Sequence, residues 1–259
     1  MKYIASCSFG ADSTASVLLS IEHEEPLDEA AYCEVMFDHE VSGEVPEHRD
    51  FIYEKAIPYF EKHGIQVKVL RSDWTYIDHF TAVISRGDRK GKIRGFPICG
   101  ICSICRDCKL PPIKEYIKSL PEGTVQYIGI ASDEQERLFR LDSNRISLLN
   151  KYGVTQAAAR ELCKRHGLLS PIYKFAPRNG CFFCPNAKEP ELRHLYDHHP
   201  DLWQRMLELQ ALPNKASELF NRTMRFSDWH EKFFWDDRQM TIFDYLYQGD
   251  EDECEEVSK

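Results

Sequence analysis

The segment Ser6-Cys-Ser-Phe-Gly-Ala-Asp-Ser-Thr14 decides how the first half of this chain is expected to fold. It follows the short apolar stretch Tyr3–Ala5 and precedes the helix-like run Ala15–Ile21. A strand that ends in a serine/glycine turn and opens a helix can hold phosphate, because the first-turn N–H groups and the helix dipole favour an anion there. The Gly-Lys-Ser/Thr of a Walker loop is absent. A helix cap alone is the simpler reading of such a turn, but its place between strand and helix predicts a phosphate site.

The length and composition limit the classes of protein to which this chain can belong. The chain has 259 residues, of which 42% are hydrophobic and 29% charged, as in a soluble globular protein with one large domain or a domain with an extension. No apolar run approaches the ~20 residues of a membrane span, and the N-terminus does not resemble a signal peptide. We therefore expect a cytoplasmic protein without a membrane partner.

The net charge of −9 is unevenly distributed. Residues 244–259 hold seven acidic residues and one lysine, so this predicted disordered tail carries −6 of the total. The remaining −3 excludes a generally basic nucleic-acid binder. One local basic cluster interrupts this pattern, and it is either a surface loop or a contact for phosphate or RNA; its members are Arg86, Arg89, Lys90, Lys92 and Arg94.

Strand and helix signals alternate through the first 150 residues, which predicts an α/β fold with an open, mostly parallel sheet and flanking helices. The predicted strands are 3–6, 31–37, 65–70 and 125–130. From residue 155 the pattern becomes helical, up to a last predicted helix at Ala216–Phe220. We expect a nucleotide-binding domain at 1–150, a helical extension at 151–243 that carries a second cysteine pair, and the acidic tail.

In an open parallel sheet the ligand lies beyond the carboxyl ends of the strands. This rule brings the loop at 6–14, Asp38 and Gly129 to one crevice. Asp38 could hold magnesium or a ribose hydroxyl there, and a turn aspartate that caps the next segment is the alternative.

The ten cysteines point to metal or redox chemistry in a cytosolic chain rather than to disulfides. Cys33 and Cys163 stand in apolar contexts and are expected to be buried. Cys7 lies in the loop. Six further cysteines form two groups, an early one of Cys99, Cys102, Cys105 and Cys108 and a late one of Cys181 and Cys184. Spacing by three places Cys102, Cys105 and Cys108 near one face if that stretch is helical.

Several segments, in order, resemble the PAPS reductase-like family of the PP-loop, or adenine nucleotide alpha-hydrolase, superfamily. Besides the loop, the resemblance rests on Gly43-Glu-Val-Pro-Glu47, Cys105-Arg-Asp-Cys-Lys109-Leu-Pro-Pro-Ile, Gly129-Ile-Ala-Ser-Asp-Glu134 with Arg137, Ser170-Pro-Ile-Tyr and Gly180-Cys-Phe-Phe-Cys-Pro-Asn186. It spans about residues 3 to 186 and implies a fold like that of the adenine nucleotide alpha-hydrolases.

The resemblance also implies ligands and roles. It predicts an adenine nucleotide, either ATP with Mg²⁺ or PAPS/APS, held by Ser6, Ser8, Phe9, Gly10, Ala11, Asp12, Ser13, Thr14, Asp38 and Gly129. It predicts Asp12, Lys109 and Arg137 as catalytic residues. Relatives in this family bind a 4Fe–4S cluster through early and late cysteine pairs, so four of Cys102, Cys105, Cys108, Cys181 and Cys184 are the expected ligands. Zinc is the alternative metal, because four thiolates suit it equally.

Two departures favour ATP over a sulfonucleotide. The reductases carry a catalytic Glu-Cys-Gly-x-His segment, for which the only candidate in this chain is Glu253-Cys254-Glu-Glu. The surrounding carboxylates would raise the pKa of a thiol there and weaken it as a nucleophile. Asp12 has the spacing of ATP pyrophosphatases, whereas Phe9 resembles reductase loops. We expect an enzyme that acts at the α-phosphate with a cluster that supports sulfur or electron transfer.

Two alternatives to that enzyme stay open. They are a sulfonucleotide reductase and a non-catalytic, nucleotide-responsive accessory protein of a larger complex. The acceptor is a nucleic acid or a partner protein, and a homo-oligomer is compatible with the sequence.

Overall fold

The computed structural model describes residues 1–98, 100 and 102–238. Its strands, in chain order, are β1 (Tyr3–Ser6), β2 (Glu29–Cys33), β3 (Gln66–Leu70), β4 (Ile93–Gly95), β5 (Val125–Ile128), β6 (Arg145–Ile146) and β7 (Lys215–Ser217). Five of them form a sheet in the order β3-β2-β1-β5-β6, and every neighbouring pair is parallel. The predicted α/β fold with an open parallel sheet is confirmed.

Helices connect and flank the strands, as parallel connections require. They are α1 (Ala11–Glu22), α2 (Pro46–Asp50), α3 (Ile57–Lys62), α4 (Tyr76–Thr81), α5 (Leu110–Ser119), α6 (Gln135–Leu138), α7 (Leu148–Lys151), α8 (Gln156–Arg165), α9 (Glu189–His198), α10 (Pro200–Ala211) and α11 (Phe226–Asp236). π-helical turns occupy Phe51–Ala56 and Cys105–Lys109, and Pro171–Lys174 is a 3₁₀ turn. No helix within the described ranges is long and apolar enough to cross a membrane.

The strand order reverses at β1, and this fixes where a ligand can bind. The chain leaves β1 for β2 on one side of it and later returns to β5 on the other side. Ser6 and Ile128 are register partners, so the loop after β1 and Gly129 after β5 emerge side by side. Ligands of open α/β sheets bind at such a switch point.

The first hydrophobic core lies between this sheet and its helices. Helix α1 is buried along most of its length because it is covered by α8, which contributes Leu162 and Cys163 to the core. Each fully buried leucine stabilises the fold by about 1.5–3 kcal/mol. Helix α8 therefore packs with the sheet although it follows residue 150; the division at that residue stays a prediction. Cys33 and Cys163 are buried, as predicted.

A second, aromatic core joins distant parts of the chain. Phe37 and Tyr76 pack there against Phe183, and α10 and α11 add Trp203 and Phe233. The short parallel pair β4–β7 borders this core. The predicted helix at Ala216–Phe220 is wrong, because Lys215–Ser217 instead pairs with β4, and sheet pairing outweighs the weak helix preference of so short a segment.

Candidate functional site

Side-chain hydrogen bonds from Ser13 fix the backbone of the loop after β1. Ser13 Oγ accepts a hydrogen bond from the Ser8 N–H at 3.1 Å and donates to the Gly10 carbonyl at 3.1 Å. Gly10 is the N-cap of α1 and supplies no capping side chain, while the Ala11 N–H donates to the hydroxyl of Tyr173 at 2.7 Å. The loop therefore presents the N-terminus of a twelve-residue helix to whatever lies beside it.

Two glycines allow the close approach that the loop needs. A Cβ on Gly129 would stand 2.6 Å from the Ser13 nitrogen, and one on Gly10 would stand 2.6 Å from Asn179 Oδ1. Gly129 therefore lets β5 end directly against the first turn of α1. Gly10 lets the side chain of Asn179 rest on the loop.

A cavity of about 400 Å³ lies beside this loop. Ser8, Gly10, Ala11, Asp12, Ser13 and Gly129 line it, and so do three cationic side chains, those of Arg137, Arg160 and Arg178. Arg137 is paired with Glu134 at 2.5 Å, and Arg160 donates to the Pro177 carbonyl at 2.6 Å. With three arginines and one lining carboxylate, the cavity is suited to a polyanion.

Asp12 is the lining carboxylate, in the first turn of α1. Burial, followed by the charge of Glu134, raises the pKa of Asp12, while Arg137 and Arg160 oppose the rise. A half-buried carboxylate whose ionised form is disfavoured gains most when a cation arrives. Asp12 therefore fits a role beside a metal-bound phosphate.

Three predicted nucleotide-binding residues have side chains that are buried or hydrogen-bonded within the fold. Phe9 has a left-handed φ of 56° and is buried, where it stacks on Phe60 at 5.7 Å, so it anchors the loop in the core. Ser6 Oγ accepts a hydrogen bond from Gln126 Nε2 at 2.6 Å, and Thr14 is fully buried. Phe9 and Thr14 can therefore serve the loop only through their backbone, whereas Ser6 also lines the space of about 160 Å³ beside Ser8 and Ser13.

Asp38 is not brought to the cavity beside the loop. Its Oδ1 accepts hydrogen bonds from the N–H groups of Glu40 and Val41, at 2.7 and 2.6 Å, and its Oδ2 is paired with Arg205. These bonds and the guanidinium hold the pKa of Asp38 below its usual value against the opposing effect of burial. The carboxylate thus has the turn-capping position that was the alternative prediction.

Four cysteines from two distant segments line a second cavity, of about 250 Å³. They are Cys102, Cys105, Cys181 and Cys184. The later pair is held in place by a bridge between Glu44 and Cys181 and by the Phe182 N–H, which donates to the Gly43 carbonyl at 2.9 Å. Two of the segments that carry the family resemblance therefore meet at this cavity.

Cys108 lies apart from these four thiols. It is fully buried in the aromatic core, its Sγ is 3.7 Å from the Thr75 carbonyl, and burial raises the pKa of Cys108 to about 12. The expectation that three cysteines share one face assumed an α-helix. The π-helical turn at Cys105–Lys109 is wider, which rotates Cys108 away from the cavity. Cys99 and Cys254 lie outside the described residues.

Two of the four thiols, those of Cys102 and Cys181, stand where the protonated form is favoured. Burial raises the pKa of Cys102, and burial together with the charge of Glu44 raises that of Cys181. Arg178 Nη2 stands 3.5 Å from Cys184 Sγ and the Cys105 N–H donates to Cys102 Sγ at 3.3 Å. N–H groups beside sulfur stabilise metal-bound thiolates.

The two cavities adjoin. Ser8, Arg178 and Asn179 line both of them. Lys109 lines the cysteine cavity and also a smaller space, of about 160 Å³, that reaches Ser8 and Ser13 of the loop. The predicted catalytic lysine therefore stands between the thiols and the loop.

Several lining residues were missed by sequence reasoning. Arg160 and Gln156 lie on a helix without a motif, and only the packing of α8 on α1 brings them to the loop. Tyr173 and Arg178 could have been identified from the sequence. Tyr173 is the last residue of the segment Ser170-Pro-Ile-Tyr, and Arg178 lies two residues before the segment that begins at Gly180.

A larger cavity, of about 590 Å³, is lined by Arg71, Trp74, Arg94 and Arg106, among others. Arg71 is paired with Glu34, and Arg94 and Arg106 are paired with Asp107. Three carboxylates, those of Asp73, Asp107 and Glu115, line it beside its three arginines, and it has no glycine turn. We place the candidate site at the loop and the thiols instead.

Comparisons with known proteins show a likeness to a solved structure. No protein-family model matches the chain, and no curated protein matches it. Among solved structures, the U34-tRNA thiolase NcsA from Methanococcus maripaludis with its [4Fe-4S] cluster is similar, with 14% sequence identity, 90% of this chain and 80% of that chain covered, and a TM-score of 0.41.

Proposed function

We propose that this chain is an enzyme that binds MgATP at the Ser8–Ser13 loop and activates an acceptor by attack at the α-phosphorus. A nucleophile of the acceptor forms the new bond to the α-phosphorus, the bond to the α–β bridging oxygen breaks, and pyrophosphate leaves with that oxygen. The observation that carries the proposal is the adjacency of the arginine-lined loop cavity and the four-thiol cavity through Ser8, Arg178 and Asn179.

The loop and its cations account for the phosphate chemistry. Backbone N–H groups at the start of α1 would bind the phosphates, and Arg137, Arg160 and Arg178 would stabilise the charge that develops on the departing pyrophosphate. Asp12 would hold Mg²⁺, which prefers carboxylate oxygens. Enzymes that catalyse transfer at phosphorus rely mostly on positioning and on electrostatic stabilisation of the transition state, and little on covalent catalysis.

The four thiols fit an iron–sulfur cluster by their chemistry. Four cysteine sulfurs are the usual ligands of a [4Fe–4S] cluster, and here they line one space beside the cationic Lys109 and Arg178. Bound there, a cluster would supply sulfur or electrons to the activated acceptor. Lys109 and Arg178 would neutralise the thiolates and keep them beside the phosphates.

The spacing of the sulfurs favours a cluster over zinc. Around one zinc ion at about 2.3 Å, tetrahedral thiolates stand about 3.8 Å apart. Within the described residues, no three of these thiols have sulfurs within 4.8 Å of one another. The wider arrangement suits a larger inorganic group.

A nucleic acid is the acceptor that the surface favours. Four members of the basic cluster, Arg86, Arg89, Lys90 and Lys92, lie on an exposed turn, and the fifth, Arg94, lies in β4, which follows this turn. Exposed Lys and Arg side chains of this kind contact the phosphates of nucleic acids. The sulfonucleotide reductase alternative requires Cys254, which lies outside the described residues.

Product analysis tests the proposed reaction. Anaerobically purified protein incubated with acceptor RNA and MgATP that is radiolabelled at the α-phosphate should release pyrophosphate and transfer labelled adenylate to the RNA. Lys109→Met should lower the rate by at least about a hundredfold, as for lost transition-state charge, whereas Lys114→Met on the outer part of α5 should not. Release of ADP and phosphate, or equal rates in both variants, would contradict the proposal.

A further inference from the structure

We propose that Glu47, His194 and His199 form a binding site for a divalent first-row metal ion such as Zn²⁺, distinct from the thiol cavity. Glu47 Oε1 stands 2.7 Å from His194 Nε2, and the two Glu47 oxygens stand 3.0 Å from His199 Nε2. One ligand atom from each residue lies within 4.8 Å of the other two. The site goes beyond the proposed function, which does not use these residues.

The local sequence explains why the two histidines converge. Five residues along one α-helix would place them about 140° apart around its axis. Instead, α9 ends at His198, and His199 adopts φ −133° and ψ 61° before Pro200. A residue before proline is driven out of the helical region. The His-Pro step therefore turns the second imidazole towards the same carboxylate.

The side chains are held in place for ligation. The ring of His194 stacks on Phe175 with centroids 3.6 Å apart and planes 8° from parallel. The two histidine side chains are 17% exposed and that of Glu47 is 32% exposed, so the group is ordered yet open to solvent. Two imidazoles, one carboxylate and an open side are the usual donor set for zinc and similar ions.

The charge and proton balance allow a dication to enter. The Glu47 carboxylate offers one negative charge, and His194 and His199 each offer one imidazole nitrogen. On binding, each Nε2 gives up its hydrogen bond to Glu47 and donates its own lone pair to the metal, while the imidazole proton is held on Nδ1. No oxidant or reductant is needed.

The position of the site indicates what a metal would do. Glu47 is in α2, three residues after Glu44, which bridges to Cys181, while His194 is in α9. A bound ion would tie α2 to the start of α10 and hold the turn with Cys181 and Cys184 against the segment that precedes α2. The expected role is structural, acting on the geometry of the thiol cavity.

Cobalt(II) titration of the full chain tests this site, because nitrogen and oxygen ligands give weak visible bands, whereas thiolates add an intense near-ultraviolet band. We expect visible bands in the wild type at one ion per chain. Glu47→Gln and His199→Gln should weaken this binding by more than the ten- to hundredfold lost with an outer-shell partner. Cobalt should also raise the melting temperature of the wild type and not of these variants.

His166→Gln is the matched control, because His166 Nε2 is paired with Glu22 at 2.9 Å but has no second histidine at that carboxylate. It should bind cobalt as the wild type does. Two results would overturn the proposal: equal affinity in the wild type and in a folded Glu47→Gln or His199→Gln chain, or thiolate bands alone. A chain without ATP turnover would overturn the proposed function and leave the visible cobalt bands unchanged.

Discussion

Asn179 Nδ2 donates a hydrogen bond to the Ser8 carbonyl at 3.0 Å, across 171 residues of sequence. This bond fastens the segment that precedes Cys181 to the loop that follows β1. Because Asn179 also lines both cavities, the phosphate site and the thiol site share a wall rather than merely lying on the same face. The proposed coupling of nucleotide and sulfur chemistry depends on that wall.

Removal of this bond should weaken nucleotide binding without unfolding the protein. Asn179→Ala loses one hydrogen bond and leaves the Ser8 carbonyl to water, a loss of about 1 kcal/mol. We expect ATP affinity to fall by about fivefold in isothermal titration. Asn150→Ala, at an exposed position of α7, should bind ATP as the wild type does. Equal affinities in both variants would contradict the shared-wall account.

Gly129→Ala should abolish nucleotide binding by displacing the loop. The added Cβ would stand 2.6 Å from the Ser13 nitrogen and 2.7 Å from the Ser13 Cα, so the first turn of α1 must move. Overpacking of this kind costs about 1–3 kcal/mol in unfolding free energy. Gly123→Ala is the control, since its Cβ meets nothing and only its φ of +78° is strained. Gly123→Ala should lose comparable stability in urea and keep ATP binding; a Gly129→Ala chain that binds ATP normally would refute the predicted displacement.

The cysteines should divide into four ligands and one packing residue. Cys184→Ser removes a thiol of the cavity and should lower the iron content of anaerobically purified protein severalfold, together with its visible absorbance. Cys108→Ser should retain both, because its sulfur packs 3.7 Å from the Thr75 carbonyl, where a hydroxyl can also donate. The opposite order of iron contents would assign Cys108 to the cluster.

How far the sequence could predict this arrangement differs between loop and thiols. Ser8, Gly10 and Gly129 could be found because the phosphate turn and the strand order are local patterns with a fixed geometry. Cys108 could not be excluded as a metal ligand from the sequence. The direction of its side chain depends on a π-helical turn, which the three-residue spacing of the cysteines does not predict. Arg160 was equally hidden, because tertiary packing of α8 alone brings it to the loop. The strand at Lys215–Ser217 was missed because its partner, β4, precedes it by about 120 residues.

Acid should destabilise the fold through His79. This side chain is 3% exposed, its Nε2 stands 3.4 Å from Asp107 Oδ2, and burial, reinforced by Arg94, lowers the pKa of His79 to about 4. The unfolded chain binds the proton near the usual value of about 6.5, so stability is lost as the pH falls from that value towards 4. Between pH 7 and pH 5 this single group removes about 2 kcal/mol.

Urea unfolding of a His79→Gln variant measures this effect. The fall in unfolding free energy between pH 7 and pH 5 should be smaller in His79→Gln than in the wild type by that amount. His63→Gln, at an exposed histidine that ends α3, should show the wild-type slope. A wild-type slope in His79→Gln would mean that another group carries the acid sensitivity.

The central claim is that nucleotide and cluster occupy adjoining spaces around Ser8, Asn179 and Lys109. Electron paramagnetic resonance of the reduced, anaerobically purified protein, recorded with and without MgATP, measures this most directly. We predict a cluster signal whose g-values shift when ATP binds, and no shift in Gly129→Ala. An iron-free protein that holds only zinc, or a cluster signal left unchanged at saturating ATP, would contradict the account.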